Sequence, residues 1–312
     1  MIEKETSPPM LTCDTYHLPD TLRDALDLWS KAPKGSRLVS GATDILPWAR
    51  EGRAGDVHIP SFVDVTRVAE FRGHSVAHGR IRLGANTVYQ DFLTDGVLKH
   101  LLPCMPYCAI WFADDQIREQ ATLAGNLANA SPVADGTPAV AALNGGVELA
   151  RLEDGEIKTR NFTVSDFILG PGRTVMQPGE IITSVSLDAL AGYGGSFQKV
   201  GQRRSLVISI ACCAALVKAD STGRVFDYVR LALGGVGPRP IRLNAVESQL
   251  RGEEISRRTI NNAAQLAADE VASRSRQEYR RSVVIGFVKA GIEEALEDQP
   301  DVEAKFEGME NA

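Results

Sequence analysis

Along the first half of the chain, short apolar runs alternate between helical and strand spacing. Leu22, Ala25, Leu26 and Trp29 share one face of a helix predicted over residues 21–29, with Pro19 and Asp20 marking its start. Residues 37–39 predict a short strand, 45–50 a helix, and 58–65 and 80–84 two further strands. Residues 89–95 and 97–111 carry helical spacing, the second stretch interrupted by Pro103 and Pro106. Residues 120–135 are crowded with Gly, Asn, Ser, Thr and Ala and predict a loop. A helix is expected over 137–143 and a strand over 146–152. Asp154-Gly155 then supplies a hairpin turn into 156–160.

Gly192, Gly194 and Gly195 cluster within residues 188–195, where a boundary is expected. Beyond it, 196–200, 208–218 and 225–233 predict three strands, with Ser221-Thr222-Gly223 turning between the last two. From residue 241 onward the spacing is helical, over 245–250, 256–272 and 279–296. The order predicts an α+β protein, a mixed unit followed by an antiparallel sheet with helices.

Composition narrows the function. A chain of 312 residues, 44% hydrophobic, has room for two domains at roughly 100–200 residues each. Its net charge of -6 and pI near 5.5 argue against nucleic acid as the main partner, since phosphate binding wants a basic face. Residues 1–9 are polar and carry no apolar core of a signal peptide. The most apolar run, 207–217, is shorter than the ~20 residues a membrane span needs. A soluble cytoplasmic protein is expected. Five cysteines without C-x-x-C spacing are most simply free thiols in a reducing compartment, two of them within the 207–217 run. Cys104 and Cys108 lack a second pair to complete a four-sulfur cluster. His74 and His78 lie four apart in a segment of strand and turn character, which favours solvated surface histidines over a zinc site.

The common nucleotide-binding signatures G-x-G-x-x-G and G-x-x-x-x-G-K-(S/T) are missing, as are H-E-x-x-H and G-x-S-x-G. Two separated loops of one chemical kind remain: Val39-Ser40-Gly41-Ala42-Thr43-Asp44 and Thr122-Leu123-Ala124-Gly125-Asn126. Small residues let a ligand approach the backbone, and hydroxyl and amide groups can donate to it. Backbone N–H groups in such loops form an anion-binding concavity, and a pyrophosphate held between two of them fits the pattern. The plain alternative is a pair of tight turns.

Phe112 and the stretch from Ala121 through Thr122, Leu123, Ala124, Gly125 and Asn126 to Ser131-Pro132-Val133-Ala134-Asp135 resemble a known motif. It is the second FAD loop, A-T-x-G-G-N-(L/I)-x-x-(A/G)-S-P-x-(A/S)-D, of the medium subunits of the xanthine dehydrogenase / carbon monoxide dehydrogenase family of molybdenum hydroxylases. Leu38-Val39-Ser40-Gly41-Ala42-Thr43-Asp44-Ile45 resembles that family's first loop, A-G-G-T-D-L. Pro178-Gly179-Glu180-Ile181-Ile182-Thr183 is similar to its P-(G/D)-E-(I/L)-(I/L)-T turn. Lys199 with Arg203-Arg204, Ala232-Leu233-Gly234-Gly235-Val236, Pro240-Ile241-Arg242 and Tyr279-Arg280-Arg281 resemble its C-terminal domain. The likeness runs in order from about residue 16 to 296.

The resemblance implies a two-subdomain FAD-binding fold of the vanillyl-alcohol oxidase type. A C-terminal domain with a three-stranded antiparallel sheet and a helical bundle would follow, the three units spanning 1–65, 66–190 and 191–312. It implies that residues 38–45 and 122–126 wrap the FAD pyrophosphate, with Gly41 and Gly125 where a Cβ would hold phosphate off the backbone. Thr43, Thr122 and Asn126 would donate hydrogen bonds. Asp135 would accept from ribityl or ribose hydroxyls, the alternative being a helix cap. Phe112 would pack by the adenine or isoalloxazine, or else serve as plain core. Ile181 or Ile182 would form an apolar wall, and Lys199 would approach the flavin or nucleotide, unless it is a surface lysine in a strand.

Two departures stand out. The family's double glycines appear as Gly41-Ala42 and Ala124-Gly125, which binding survives if those alanines have negative φ. After Arg203-Arg204 the chain reads Ser205-Leu206-Val207-Ile208-Ser209, where the family often has an acidic or small residue before Ile-Ala. No insertion for a [4Fe-4S] cluster is visible. The implied activity is electron relay: substrate hydroxylated at molybdopterin-molybdenum on a large subunit, electrons crossing two [2Fe-2S] clusters on a small subunit, and FAD passing them to NAD+, a quinone, a cytochrome or O2. A self-contained flavin oxidase and a flavin-free scaffold subunit stay open.

Overall fold

A computed structural model describes residues 10–203, 207–273 and 275–299. Arg204, Ser205 and Leu206, which belong to two of the stretches above, lie outside the described residues, as do residues 1–9.

The chain opens with three parallel strands, β1 (Thr12–His17), β2 (Arg37–Val39) and β3 (His58–Asp64), in the order β1-β3-β2. Parallel neighbours need a crossover, and α1 (Leu22–Lys31) and α2 (Ile45–Arg50) supply the helices. Thr21 caps α1 by accepting from the Asp24 N–H at 3.2 Å, and Ala25 and Leu26 are buried.

A second, antiparallel sheet of five strands follows. β4 (His74–Ala77) and β5 (Arg80–Gly84) form one edge, and β6 (Gly146–Glu153) and β7 (Glu156–Thr163) the other. Between β5 and β6 run α3 (Asp91–Thr94), α4 (Gly96–Leu101), α5 (Cys104–Trp111), α6 (Asp115–Arg118), α7 (Leu123–Asn129) and α8 (Gly136–Ala142). After β7 come α9 (Val164–Phe167), the small ribbon β8 (Ile168–Gly170) and β9 (Arg173–Thr174), and β10 (Ile181–Asp188). β10 fills the centre, giving the order β4-β5-β10-β6-β7. Pro103 closes the gap between α4 and α5, and Pro106 sits in the first turn of α5, where its missing N–H costs no helical bond.

The last unit carries β11 (Gly194–Val200), β12 (Ala211–Ala219), β13 (Phe226–Gly234) and β14 (Ile241–Arg242), all antiparallel. The expected three strands are the long ones, and β14 adds a two-residue edge. α10 (Asn244–Leu250), α11 (Arg257–Ala264), a 3-10 turn over Gln265–Glu270 and α12 (Gln277–Glu297) complete it. β12 explains the most apolar run of the chain. Cys212, Ala214 and Leu216 belong to the core shared with α5, α7 and α8, whereas Ala211, Cys213, Ala215 and Val217 belong to the core under α12. A strand covered on both faces cannot alternate with polar residues.

Candidate functional site

The two small-residue loops meet. The first joins β2 to α2 and the second enters α7, and together they line a cleft of about 560 Å³. Leu38, Val39, Ser40, Gly41, Ala42, Thr43, Asp44 and Ile45 all line it, with Phe112, Thr122, Gly125, Asn126 and Asp135. Leu46 N is the first donor of α2 to close on a carbonyl, that of Ala42 at 3.2 Å. Among the described residues, the N–H groups of residues 41–45 and of Ala124 in the first turn of α7 hold no hydrogen bond. Unfilled donors on two converging loops form a concavity suited to an anion.

The loop expected over 120–135 is in part a helix, α7. The reason is local. The Thr122 hydroxyl accepts from the Gly125 N–H at 3.0 Å, Leu123, Ala124 and Leu127 are buried, and Ala130 ends the helix at φ +46°. A Cβ on Gly125 would stand 2.8 Å from that capping oxygen. One on Gly41 would stand 1.9 Å from the Gln120 carbonyl oxygen. Both glycines therefore serve contacts within the protein: Gly125 frees the cap, and Gly41 lets the first loop lean on the backbone of the second. Ala42 has φ +56°, so the condition of negative φ is not met there, while Ala124 sits in helical backbone.

Further bonds tie the loops together. Asn129 at the end of α7 donates to Asp44 at 2.8 Å, and Ser40 donates to Asn86, which in turn donates to the Val65 carbonyl at 2.8 Å. Burial pushes the Asp44 carboxyl above the ordinary carboxylate range, opposed by Arg53. The Oδ1 atom of Asn126 is buried with no hydrogen-bond partner among the described residues, an orphaned polar atom beside the cleft.

Phe112 is half-buried. Its ring stacks on that of Tyr89 with centroids 3.8 Å apart and planes 3° from parallel. It is thus both wall and core: one face is braced by a buried tyrosine while the residue lines the cleft.

Asp135 stands at the N-cap position of α8 but makes no capping bond. Its carboxylate accepts from Lys199 Nζ and from the Ser209 hydroxyl, both at 2.6 Å. Burial pushes this carboxyl up, and Lys199 and Ser209 only partly offset it. Lys199 is no surface lysine: its side chain is 1% exposed, and Nζ also donates to the Trp111 carbonyl at 2.9 Å. It lies behind Asp135 rather than in the cleft lining. Leu123 and Ala124 are buried beneath the cleft. Ile181 and Ile182 pair with Ala150 and Leu149 in the core of the five-stranded sheet, and neither lines the cleft.

Residues 10–188 match the family model described as the FAD binding domain in molybdopterin dehydrogenase, and residues 196–295 that of the CO dehydrogenase flavoprotein C-terminal domain. The chain belongs to this family: it is an FAD-binding medium subunit of the xanthine and CO dehydrogenase type, an oxidoreductase component. It is 28% identical over 291 residues to the xanthine dehydrogenase FAD-binding subunit of Escherichia coli O157:H7, covering 90% of this chain and 96% of that one. To the carbon monoxide dehydrogenase medium chain of Hydrogenophaga pseudoflava it is 26% identical over 253 residues, covering 81% and 85%. In fold it matches a chain of quinoline 2-oxidoreductase from Pseudomonas putida 86 with a TM-score of 0.82 at 23% identity, covering 94% and 99%.

Tyr89, Asn129, Ser209, Val207 and Ile208 were not singled out as site residues from sequence. The last two line the cleft from the C-terminal unit, 70 residues and more beyond the second loop. Only the fold brings them there.

Proposed function

We propose that the cleft holds FAD and that the chain relays electrons from a small iron–sulfur subunit, fed by a large molybdenum-cofactor subunit, to an external acceptor. The carrying observation is the convergence of both loops on one cleft with their N–H donors unfilled. Its volume lies within the ~300–1,000 Å³ of small-molecule and cofactor sites. When bound, FAD supplies the exchange between one-electron and two-electron transfer.

The chain's own residues would bind and orient. The N–H groups of residues 41–45 take the pyrophosphate, aided by the Thr43 hydroxyl and the Asn126 amide. Asp135, held in place by Lys199 and Ser209, accepts a hydroxyl of the ligand. Lys199 acts through Asp135. Phe112, braced by Tyr89, offers a flat apolar wall, and Val207 and Ile208 add apolar surface from the other side. No side chain is asked to move a proton.

A second cleft of about 610 Å³ shares Val133, Val207 and Ile208 with the first. Arg203, Arg276 and Arg280 line it, and no carboxylate does among the described residues. This favours an anionic acceptor, NAD+, over a neutral quinone or O2. Four of the five cysteines are buried free thiols, which fits work in a reducing cytoplasm. No helix among the described residues is long and apolar enough to cross a membrane.

The test is the visible spectrum of the chain purified with its partners, with FAD, iron and molybdenum assayed on the same sample. About one FAD per chain is expected, with both metals entering only through the partner subunits. A colourless chain that takes up no FAD would overturn the reading and leave a scaffold subunit.

A further inference from the structure

Tyr279-Arg280-Arg281 opens α12, far along the sequence from either loop, and of the three only Arg280 lines the second cleft. The side chain of Arg280 reaches back from the helix to three backbone carbonyls. Its Nη1 donates to Ile210 and to Gly235, and its Nε to Ser275 at 3.1 Å. No ion pair to a carboxylate accompanies these bonds among the described residues. Burial and the neighbouring Arg276 both pull this guanidinium below its ordinary value. A part-buried cation facing a like charge and paid only in carbonyl bonds is a costly way to hold a fold together.

What those carbonyls belong to gives the residue its use. Ile210 ends the segment that carries Val207 and Ile208 into the cleft, and Ser209 of that segment donates to Asp135. Gly235 leaves β13 at φ +75°, where a Cβ would stand 2.7 Å from the Ile210 oxygen. Its N–H donates to the carbonyl of Pro132, in the second loop, at 2.9 Å. The two backbones thus meet at one point, and Arg280 bonds to both there. We infer that Arg280 is a positioning residue for the cofactor cleft, clamping residues 207–210 of the C-terminal unit against the second FAD loop so that Val207 and Ile208 keep their places in its wall and Ser209 keeps its bond to Asp135. The clamp acts at a distance: Arg280 is not in the lining of the first cleft.

This rests on the reading of that cleft as the FAD site, so the wild-type chain is measured first. FAD affinity is read by flavin fluorescence on the full-length chain, together with the flavin midpoint potential and amide exchange of peptides covering 207–211 and 235–237. Arg280→Met weakens FAD binding about tenfold, the weight of a hydrogen bond from a charged group. It shifts the potential and speeds exchange in those two peptides while the β10 core stays protected. Arg280→Lys keeps the charge and recovers part of the affinity, and Arg281→Met, at an exposed position, changes none of the three readouts. A wild-type chain that binds FAD beside an Arg280→Met variant with unchanged affinity, potential and local exchange overturns the inference alone. A wild-type chain that takes up no FAD overturns the reading of the cleft and the inference with it. Should Arg280→Met fail to fold, a folded Arg280→Lys decides: wild-type values in all three readouts overturn the clamp, and weakened affinity with faster local exchange upholds it.

Discussion

Ala42 is the one residue of the first loop that works against its own backbone. At φ +56° its methyl meets the steric penalty of the left-handed region, about 1–2 kcal/mol for an L-residue. Glycine escapes that penalty but loses more entropy on folding, by about 0.4–1 kcal/mol. Ala42→Gly is therefore expected to stabilise the apo chain by about 0.5–1 kcal/mol, seen as a higher denaturation midpoint with unchanged slope. Gly41→Ala should move the midpoint down, because its Cβ has no room against the Gln120 carbonyl. An Ala42→Gly midpoint at or below wild type would show that the strain is relaxed in solution. Lys199 carries a second residue-scale prediction. Lys199→Met leaves the Asp135 carboxylate buried with Ser209 as its remaining side-chain partner, a cost of about 3–5 kcal/mol at neutral pH. The sign with pH follows from burial. The Asp135 carboxyl is already raised in the native chain, and a raised carboxyl contributes stability below its unfolded value, near ~3.9, that is lost as pH rises through the folded value. Removing the cation raises it further, so the Lys199→Met penalty should be larger at pH 8 than at pH 5. Adding Asp135→Asn should recover most of it. Thermal melts of the single and double variants at both pH values check this, and a penalty independent of pH would count against the buried pair.

At the scale of elements, the sequence is most legible where one apolar face meets one core. The expected spans of β2, α2 and β5 coincide with the observed ones. The expected segments for α1, β3, β11, β13 and α12 differ from the observed ones by a few residues at the ends. Legibility fails where small residues carry the structure. Residues 123–129 look like a loop because Gly125 and Asn126 depress helix propensity, yet a threonine cap and three buried residues suffice for a two-turn helix. β10 hides behind a turn motif. Gly179 turns the chain at φ +82°, and the run from Ile181 through Val185 is buried because the strand is central, so it lacks the alternation that marks a half-exposed strand. The residues of the two loops were readable as a likeness, and the fold does bring them together. Their individual tasks were less readable, since Gly41, Gly125 and Lys199 turn on who their neighbours are. Val207 and Ile208 were out of reach altogether, because no local pattern says that a segment entering β12 will fold back across a cleft made by another unit.

For the whole molecule, a net charge of -6 conceals two clefts of different character sharing one wall. The first presents Asp44 and Asp135 with bare backbone donors, so it can hold a polyanion by N–H groups while its carboxylates meet hydroxyls. The second presents arginines. A neutral acceptor gains nothing from that field, whereas the pyrophosphate of NAD+ does. Arg276 is the residue on which to test the difference. It is exposed at the N-cap position of α12, caps nothing with its side chain, and carries none of the carbonyl bonds that Arg280 does. In the assembled enzyme, Arg276→Gln is expected to raise KM for NAD+ about five- to tenfold with kcat little changed, the mark of lost uniform binding. The same variant should reduce an uncharged quinone at the wild-type rate, and added salt should erase most of the wild-type advantage with NAD+. Equal loss with both acceptors would place Arg276 in the frame of the cleft instead of in acceptor binding. An enzyme that reduces quinone or O2 but no NAD+ at any salt concentration would remove the anionic acceptor while leaving the flavin cleft untouched.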